Sequence, residues 1–328
     1  MKHKKRIVSG MRPTGALHLG NYHGALENWN LMQDEYDCFF FVADWHALTS
    51  DYENTAHIHD KIDEMLIDWL SVGLSPEKTT LFIQSDIKEH AELFLLLSMI
   101  TPTPWLERNP TFKEQVTQLS NKDLSTFGFL GYPVLQSADI IMYKAEGVPV
   151  GVDQVPHVEI TREIARRFNY LFGQVFPEPD AVLTKTSKIL GLDRRKMSKS
   201  YGNAIFLSDD ADQIQKKVNE MVTDPQRKRK KDPGDPSVCN VFDFHKLYSD
   251  DAMIQQVENE CKSAEIGCVQ CKKLMASNLA NTLAPITERR QQYVDRPDTI
   301  KDIMQAGSQK ARIIAIETME QVRSVVKI

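Results

Sequence analysis

Short apolar runs that alternate with segments of helical periodicity are the feature that most limits the fold of the first half of this 328-residue chain. The strand-like runs are Arg6 to Gly10, Cys38 to Ala43 and Thr80 to Gln84. The helical segments are Leu17 to Met32, His57 to Val72 and Ala91 to Ile100. Strands that alternate with helices are typical of parallel βαβ units. We therefore predict an α/β fold with a doubly wound parallel sheet.

The second half has a different pattern. Thr101 to Ser125 is polar and predicts a connection, whereas Val148 to Val150 returns to core character and Val155 to Phe172 predicts a helix. After about Phe206 the periodicity is almost wholly helical, up to a last amphipathic helix from Lys301 to Ile328. We predict a catalytic domain over 1–205, including the connecting insertion, and a helical domain over 206–328 whose last helix packs back on the first domain.

Composition narrows the class of protein. Hydrophobic residues make up 41% and charged residues 26% of the chain, which is typical of a soluble globular protein. We find no apolar run long enough to span a membrane and no signal-peptide core after the basic N-terminus. These features predict a cytoplasmic protein with no membrane partner. The net charge of −5 argues against non-specific coating of nucleic acid, but a local basic patch remains compatible with it.

A glycine-containing turn follows the first predicted strand, from Gly10 to Asn21. A helix that begins here directs its backbone N–H groups and the positive end of its dipole toward the sheet edge, which suits an anion. Neither common nucleotide signature is present. Instead the segment contains His18-Leu19-Gly20-Asn21, in which a histidine donor beside phosphate and a glycine against adenine would suit ATP. The alternative is an ordinary strand–turn–helix connection.

A cationic segment, Asp193 to Asn203, lies at the predicted domain junction. It places two lysines, Lys196 and Lys199, among small hydroxyl residues and ahead of a glycine. Phosphoryl chemistry needs positive charge on a leaving pyrophosphate more than it needs covalent help, and lysine suits that task. The alternative is a solvated basic loop.

The tetrad His18 to Asn21 and the pentad Lys196-Met197-Ser198-Lys199-Ser200 together resemble the two signatures of class I aminoacyl-tRNA synthetases. The tetrad departs from the family motif at its second and last positions, and an Asn in the last place is familiar in the tryptophan enzymes. Tyr132 to Ile140 and Val148 to His157 resemble the substrate-binding segments of tryptophanyl-tRNA synthetases. The resemblance extends over essentially the whole chain. Tyrosine enzymes are close relatives and share both signatures.

This resemblance implies a Rossmann-like catalytic domain, a helical tRNA-binding domain, and the roles of particular residues. The residues expected to act in catalysis are His18, Lys113, Lys196 and Lys199. The residues expected to bind ATP, with which Mg²⁺ is expected, are Arg12, Pro13, Thr14, Gly20, Asn21, Gly151, Val152, Asp153, Ile189, Lys196, Met197, Ser198, Lys199 and Ser200. The residues expected to bind L-tryptophan are His46, Tyr132, Gln136, Asp139, Val148, Val150 and Gln154. The family also implies tRNA(Trp) as a partner and a homodimer.

Asp139 carries the physical argument for tryptophan. An indole N–H only donates, so a buried carboxylate is a suitable partner, and phenylalanine would leave that carboxylate unpaired. A tyrosine hydroxyl could also donate to Asp139, so this residue alone leaves tyrosine open. The family more often has glutamate where Val152 stands, which puts the role of this position in doubt.

Four late cysteines follow the pattern Cys239-x21-Cys261-x6-Cys268-x2-Cys271. Four thiolates can hold Zn²⁺ or an iron–sulfur cluster. A subset of tryptophan enzymes carries a [4Fe–4S] cluster on a closely similar spacing, which favours the cluster over zinc and over four metal-free cysteines. Near them, Arg227 to Lys231 is a basic run that could contact tRNA phosphates or be a solvated face. Cys38, in an apolar strand, is expected in the core.

Three other functions remain open at this stage: a tyrosine-specific synthetase, a nucleotidyltransferase with a similar histidine site, and a non-catalytic relative that binds tRNA or tryptophan. The nucleotidyltransferase is expected to lack the helical domain and the Lys196 to Ser200 pentad. The intact His18, Asp139, Lys196 and Lys199 argue against a non-catalytic protein.

Overall fold

A computed structural model describes residues 4–109, 123–184 and 189–328. Its centre is one five-stranded sheet, in which neighbouring strands are parallel and the order is β3-β2-β1-β4-β5. The strands are β1 Arg6–Met11, β2 Asp37–Val42, β3 Thr79–Ile83, β4 Gly147–Val150 and β5 Asp180–Leu183. The chain adds strands on one side of β1 and then crosses to the other side with β4, so the order reverses between β1 and β4. The predicted doubly wound α/β fold is confirmed.

Helices surround this sheet and then form the rest of the chain. Up to β5 they are α1 Leu19–Asn21, α2 Glu27–Met32, α3 Asp44–Asp51, α4 Ile58–Ser71, α5 Glu89–Ser98, α6 Thr103–Glu107, α7 Phe127–Met142 and α8 Val155–Phe172. After β5 they are α9 Ala211–Glu220, α10 Asn240–Tyr248, α11 Asp251–Lys262, α12 Cys268–Val294 and α13 Pro297–Val326. None of the helices within these described ranges combines the length and apolar character that a membrane crossing requires.

The sheet is covered on both faces, and in β2 every residue from Cys38 to Val42 is apolar and buried. Successive residues of a strand point to opposite faces. In β2, Phe40 joins the core on one side, where its ring stacks on Trp29 with centroids 4.3 Å apart. Phe39 and Phe41 join the core on the other side, where Phe39 stacks on Tyr143 at 5.1 Å. Strands covered on both faces in this way are typical of parallel sheets.

The helices after β5 share a core with the sheet. Val241 and Met275, both fully buried, belong to the same apolar cluster as Ile7 of β1. Helix α13 lies against β3 so closely that a Cβ on Gly307 would stand 1.7 Å from the carbonyl oxygen of Leu81, so only glycine fits there. The boundary at 205/206 remains a prediction.

Two sequence-based expectations need correction. The single helix predicted over Leu17 to Met32 begins at Leu19 and contains a π-helical turn, Tyr22–Leu26. Strand β5 was not predicted, because its ends, Asp180 and Leu183, are exposed and its sequence lacks a continuous apolar run. Part of the predicted connection, Thr101 to Ser125, contains α6, and part lies outside the described residues.

Candidate active site

A cavity of about 340 Å³ opens at the carboxyl ends of β1 and β4, where the strand order reverses. Ligands of open parallel sheets bind at such a switch point. All seven residues predicted to bind the amino acid line this cavity, namely His46, Tyr132, Gln136, Asp139, Val148, Val150 and Gln154. Arg12 and Gly151, which were predicted to bind ATP, also line it. The structure therefore brings together side chains that are far apart in sequence.

Asp139 is the polar centre of the cavity wall. It lies in α7, is fully buried, and accepts a hydrogen bond from His46 Nε2 at 2.8 Å. It also accepts from His90 Nδ1 at 2.6 Å and from Gln84 Nε2 at 2.8 and 2.9 Å. Because His90 donates through Nδ1, its Nε2 accepts from the hydroxyl of Tyr143 at 2.6 Å. Sequence reasoning found His46 and Asp139 but missed Gln84, His90 and Tyr143.

The donors around Asp139 decide its charge. Burial raises the pKa of this carboxyl, but the hydrogen bonds from His46 and His90 outweigh burial and hold the pKa below its usual range. Asp139 is thus an ionised acceptor inside the protein. The structure corrects one expectation: phenylalanine would not leave Asp139 unpaired, because its protein donors remain. Burial of the larger indole must therefore contribute more to selectivity than the sequence argument assumed.

A second polar row, formed by Tyr132, Gln154 and His157, also lines the cavity. The hydroxyl of Tyr132 lies 3.0 Å from His157 Nε2, and His157 Nδ1 lies 2.9 Å from Gln154 Oε1. Burial raises the pKa of Tyr132, so its hydroxyl stays protonated. Arg12, at the mouth, is hydrogen-bonded to Ser50. His157 was not predicted as a site residue, although it ends a segment that resembles the family.

His18 caps α1 and has a defined tautomer. Its Nδ1 accepts the backbone N–H of Asn21 at 3.3 Å, and its own backbone N–H donates to Asn21 Oδ1 at 3.1 Å. Burial lowers the pKa of His18 to about 4, and the positive charges of Lys199 and Lys196 act in the same direction. The ring is therefore neutral at pH 7, and its proton lies on Nε2, which is available as a donor.

The lysine segment packs against this capped turn. The backbone N–H of Leu19 donates to Ile205 O at 3.0 Å, and the N–H of Leu207 donates to Leu17 O at 2.9 Å, so the residues that follow the lysine segment pair with the tetrad in an isolated antiparallel bridge. A Cβ on Gly20 would stand 3.5 Å from Cβ of Met197. The two signature segments, which are far apart in sequence, form one surface.

The two lysines differ in their surroundings. Lys196 is exposed, whereas Lys199 is partly buried and donates to the carbonyl of Thr14. Burial lowers the pKa of Lys199, and the charges of Asp68 and Glu64 oppose that shift. Such charges beside His18 suit an anionic group.

The remaining predicted nucleotide-binding residues lie around this surface without lining the cavity. Pro13 and Ile189 are buried, Val152 is 73% exposed, and the hydroxyls of Ser198 and Ser200 lie 2.9 Å apart. Lys113 lies outside the described residues, as does the side chain of Asp153.

Two acidic residues of α4 that were not predicted hold the turn before His18. Glu64 accepts the backbone N–H of Ala16 at 2.8 Å, and buried Asp68 accepts that of Leu17 at 2.6 Å. Arg290 of α12 pairs with Asp68 at 3.0 Å. An acid four residues from another acid on the apolar side of an amphipathic helix was the available signal.

The four late cysteines converge in the helical part of the chain. Cys239 precedes α10, Cys261 lies in α11, and Cys268 and Cys271 lie in the first turn of α12. Burial, and after it the charges of the other three thiols, raise the pKa of Cys271 to about 12. Within the described residues, three or more His, Cys, Asp or Glu side chains are nowhere spaced to hold a single metal ion.

Comparison with known proteins identifies the family. The chain is 47% identical to the tryptophan–tRNA ligase of Aquifex aeolicus, with 98% of this chain and all of that protein covered. It is 51% identical to the tryptophan–tRNA ligase of Thermotoga maritima, with 97% of this chain and 98% of that protein covered. The structure of Campylobacter jejuni tryptophanyl-tRNA synthetase, complexed with ADP and tryptophan, matches with a TM-score of 0.90 at 32% identity, over 98% of this chain and all of that one. The model of the class I tRNA synthetases (W and Y) matches residues 1–284, and the chain belongs to this family.

Proposed function

We propose that the protein is a tryptophan–tRNA ligase, which activates L-tryptophan with ATP and transfers it to tRNA(Trp). One observation carries this proposal: the cavity around the ionised Asp139 lies next to a surface that combines neutral His18 with Lys196 and Lys199. The relatives that match over the whole chain support it.

The cavity residues bind the amino acid. The indole packs against Val148 and Val150, which point to the same face of β4, and its N–H is directed to the carboxylate of Asp139. Gln136 and Gln154 line the same cavity and are the polar side chains available to orient the amino and carboxyl groups of the substrate. Burial of a large apolar side chain makes smaller competitors bind less tightly, so a separate editing site is not needed.

The adjacent surface performs the chemistry. The carboxylate oxygen of tryptophan attacks the α-phosphorus of ATP, the bond to the β-phosphate oxygen breaks, and pyrophosphate leaves with the electron pair. Carboxylate is an adequate nucleophile, so the enzyme supplies orientation and charge instead of a base. His18 donates through Nε2, while Lys196 and Lys199 add positive charge to the phosphates, as Mg²⁺ bound to ATP does. Gly20 and Asn21 hold the adenosine, and Lys113 adds charge.

Transfer to tRNA involves the helical region. A ribose hydroxyl at the 3′ end of tRNA attacks the carbonyl carbon of the adenylate, and AMP leaves. We propose that residues 206–328 form the anticodon-binding domain and that the basic run Arg227 to Lys231 contacts tRNA phosphates. We propose that this reaction takes place in the cytoplasm.

We propose that Cys239, Cys261, Cys268 and Cys271 hold a [4Fe–4S] cluster, with zinc as the alternative. The cluster would join α10, α11 and α12 through iron–thiolate bonds. Iron and acid-labile sulfide measured after purification without oxygen test this, with Cys268→Ser as the variant and Cys38→Ser as the control, since Cys38 is buried in β2. We expect iron in the parent and in Cys38→Ser and its loss only in Cys268→Ser. One zinc ion per chain and no iron in the parent would contradict the cluster and support the zinc alternative.

We propose a homodimer formed through an apolar patch on the catalytic region. Met99 and Leu95 of α5, Phe127 of α7 and Tyr170 of α8 are all more than half exposed. Arg167 Nε donates to Ile100 O at 2.6 Å, which places the end of α8 beside the end of α5. Exposed apolar side chains clustered in this way mark an interface. Sedimentation of the protein and of a Met99→Glu variant tests it, and a parent protein that is monomeric at all concentrations would contradict it.

ATP–pyrophosphate exchange with each of the twenty amino acids tests the function itself. Exchange with tryptophan alone is the expected result. Exchange with tyrosine alone would keep the chemistry but reassign the cavity around Asp139. Absence of exchange with every amino acid, both with and without tRNA, would contradict the catalytic proposal.

A further inference from the structure

We infer that α10 (Asn240–Tyr248) holds the two ATP-binding segments in register, with Asn240 positioning the lysine segment and Tyr248 positioning the helix that follows His18. The inference rests on the proposed ATP site and goes beyond it, because neither residue touches that site. It assigns two positioning residues in a helix that the reaction itself does not use.

The first end of α10 is joined to the base of the lysine segment. Asn240 is fully buried, and its Nδ2 donates to Gly191 O at 2.8 Å and to Leu192 O at 3.4 Å. These two residues anchor the segment, because the N–H of Gly191 donates to Arg195 O at 2.7 Å and that of Leu192 donates to Asn203 O at 2.9 Å. The amide of Asn240 therefore fixes the point from which Lys196 and Lys199 extend.

Asn240 is costly for stability, which indicates that its amide serves another purpose. Its Oδ1 is buried and lacks a hydrogen-bond partner in the described part of the chain. The carbonyls it reaches already have backbone donors, since Arg194 N donates to Gly191 O and Val222 N donates to Leu192 O. A leucine of similar volume would thus leave no carbonyl unpaired and would remove an unpartnered oxygen.

The other end of α10 is joined to the helical turn that follows the tetrad His18 to Asn21. The hydroxyl of Tyr248 lies 2.7 Å from Nε2 of His23, and Nδ1 of His23 lies 3.0 Å from the carboxylate of Glu27. With a neutral ring, Nδ1 donates to the carboxylate and Nε2 accepts from tyrosine. Burial raises the pKa of Tyr248, so its hydroxyl keeps the proton it donates. His23 belongs to the π-helical turn Tyr22–Leu26, directly after Asn21, and such turns are rare outside functional sites.

Between its two ends α10 is a short, rigid spacer. Nine residues of helix span about 13 Å, and the buried side chains of Val241 and Phe244 pack it into the core shared with the sheet. The backbone pairing of Leu19 with Ile205 and of Leu207 with Leu17 joins the two segments directly. A spacer of fixed length, hydrogen-bonded at one end to the base of the lysine segment and at the other to His23, supports that register.

Two variants separate the two ends. Tyr248→Phe removes one hydroxyl and keeps the ring, so it loosens the segment that binds adenosine; we expect KM for ATP to rise about fivefold to tenfold with kcat within twofold. Asn240→Leu loosens the lysines, which act on the transition state; we expect kcat of pyrophosphate exchange to fall about tenfold without a lower Tm. KM for tryptophan should stay within twofold in both. Matched controls are Tyr293→Phe and Asn281→Leu in α12, which change a partly exposed tyrosine and an exposed asparagine.

The value of kcat is expressed per titrated active site, so that a smaller fraction of folded protein is not mistaken for a slower reaction. The inference is overturned if both variants keep the parent's ATP KM and kcat, or if KM for tryptophan changes as much as KM for ATP. If Tyr248→Phe does not fold, Asn240→Leu decides by the same criteria. If the parent itself shows no tryptophan-dependent exchange, the proposed function has failed, and calorimetric ATP affinity of the same variants still tests α10.

Discussion

The cavity around Asp139 and the surface around His18 are neighbours built in opposite ways. Asp139 is enclosed, and its oxygens accept hydrogen bonds from His46, His90 and Gln84 before any ligand arrives. On the other surface Lys196 is exposed, and the ring of His18 is neutral and carries its proton on Nε2. The difference indicates that amino-acid recognition is preorganised by the protein, whereas the phosphate side completes its charge balance only when an anion is present.

The largest expected effect separates the two regions. Lys196→Ala removes a charge that acts on the transition-state phosphates, and we expect kcat for exchange to fall about 10²- to 10³-fold while tryptophan affinity is unchanged. Pyrophosphate exchange and tryptophan binding measured on the same preparation check this. Lys301→Ala, which removes a 75% exposed lysine side chain, is the control. A matching loss of tryptophan affinity would show that the regions are not separate.

The next effect concerns the neutral state of His18. Its pKa is about 4 in the folded protein, against an ordinary value of 6.5, so between these pH values the unfolded chain binds more protons. The neutral His18 ring therefore contributes to the free energy of unfolding, and this contribution is fully present above pH 6.5. It is lost as the pH falls toward 4, and the total loss is about 3 kcal/mol. Denaturant unfolding of the parent and of His18→Gln across this range checks it. Parallel pH curves for the two proteins would contradict the assigned protonation state.

Asp139→Asn tests the preorganised cavity. The isosteric amide removes the charge and faces His46 and His90 with fewer acceptor sites, so we expect KM for tryptophan to rise about 10- to 100-fold. KM for ATP should stay within twofold. Steady-state exchange with each substrate varied in turn is the measurement, with Asp298→Asn, an exposed position, as the control. An equal rise in both KM values would place Asp139 in the general fold of the site instead of in recognition.

The smallest effect refines the same region. Tyr143→Phe deletes the hydroxyl that donates to His90, three hydrogen bonds from the substrate, and we expect KM for tryptophan to rise about twofold to fivefold. Steady-state exchange with tryptophan varied, together with thermal unfolding of the same preparation, distinguishes positioning from loss of packing. A variant that loses stability but keeps the parent KM would limit Tyr143 to a structural role.

Contiguous signals made part of this site predictable from sequence. His18 and Lys196 each stand in a run whose neighbours identify it, and the apolar runs of β1 and β2 are long enough to predict buried strands. The seven cavity residues were named because they lie in two short segments and at His46, and all of them line one cavity.

The rest depends on contacts between residues far apart in the chain. Gln84, His90 and Tyr143 come from three different elements, and nothing in their own neighbourhoods distinguishes them from ordinary core polar residues. The role of α10 has the same origin, since His23 and Tyr248 are joined only by the fold. The π-helical turn after Asn21 was likewise missed, because its apolar spacing is close to that of an α-helix.

Tryptophan binding without ATP tests the contrast between the two regions most directly. Calorimetric titration of the parent and of Lys196→Ala with L-tryptophan should give the same Kd, because the cavity is complete in the protein alone. Binding that requires ATP in the parent, or that is lost in Lys196→Ala, would contradict a preorganised cavity that is independent of the phosphate side.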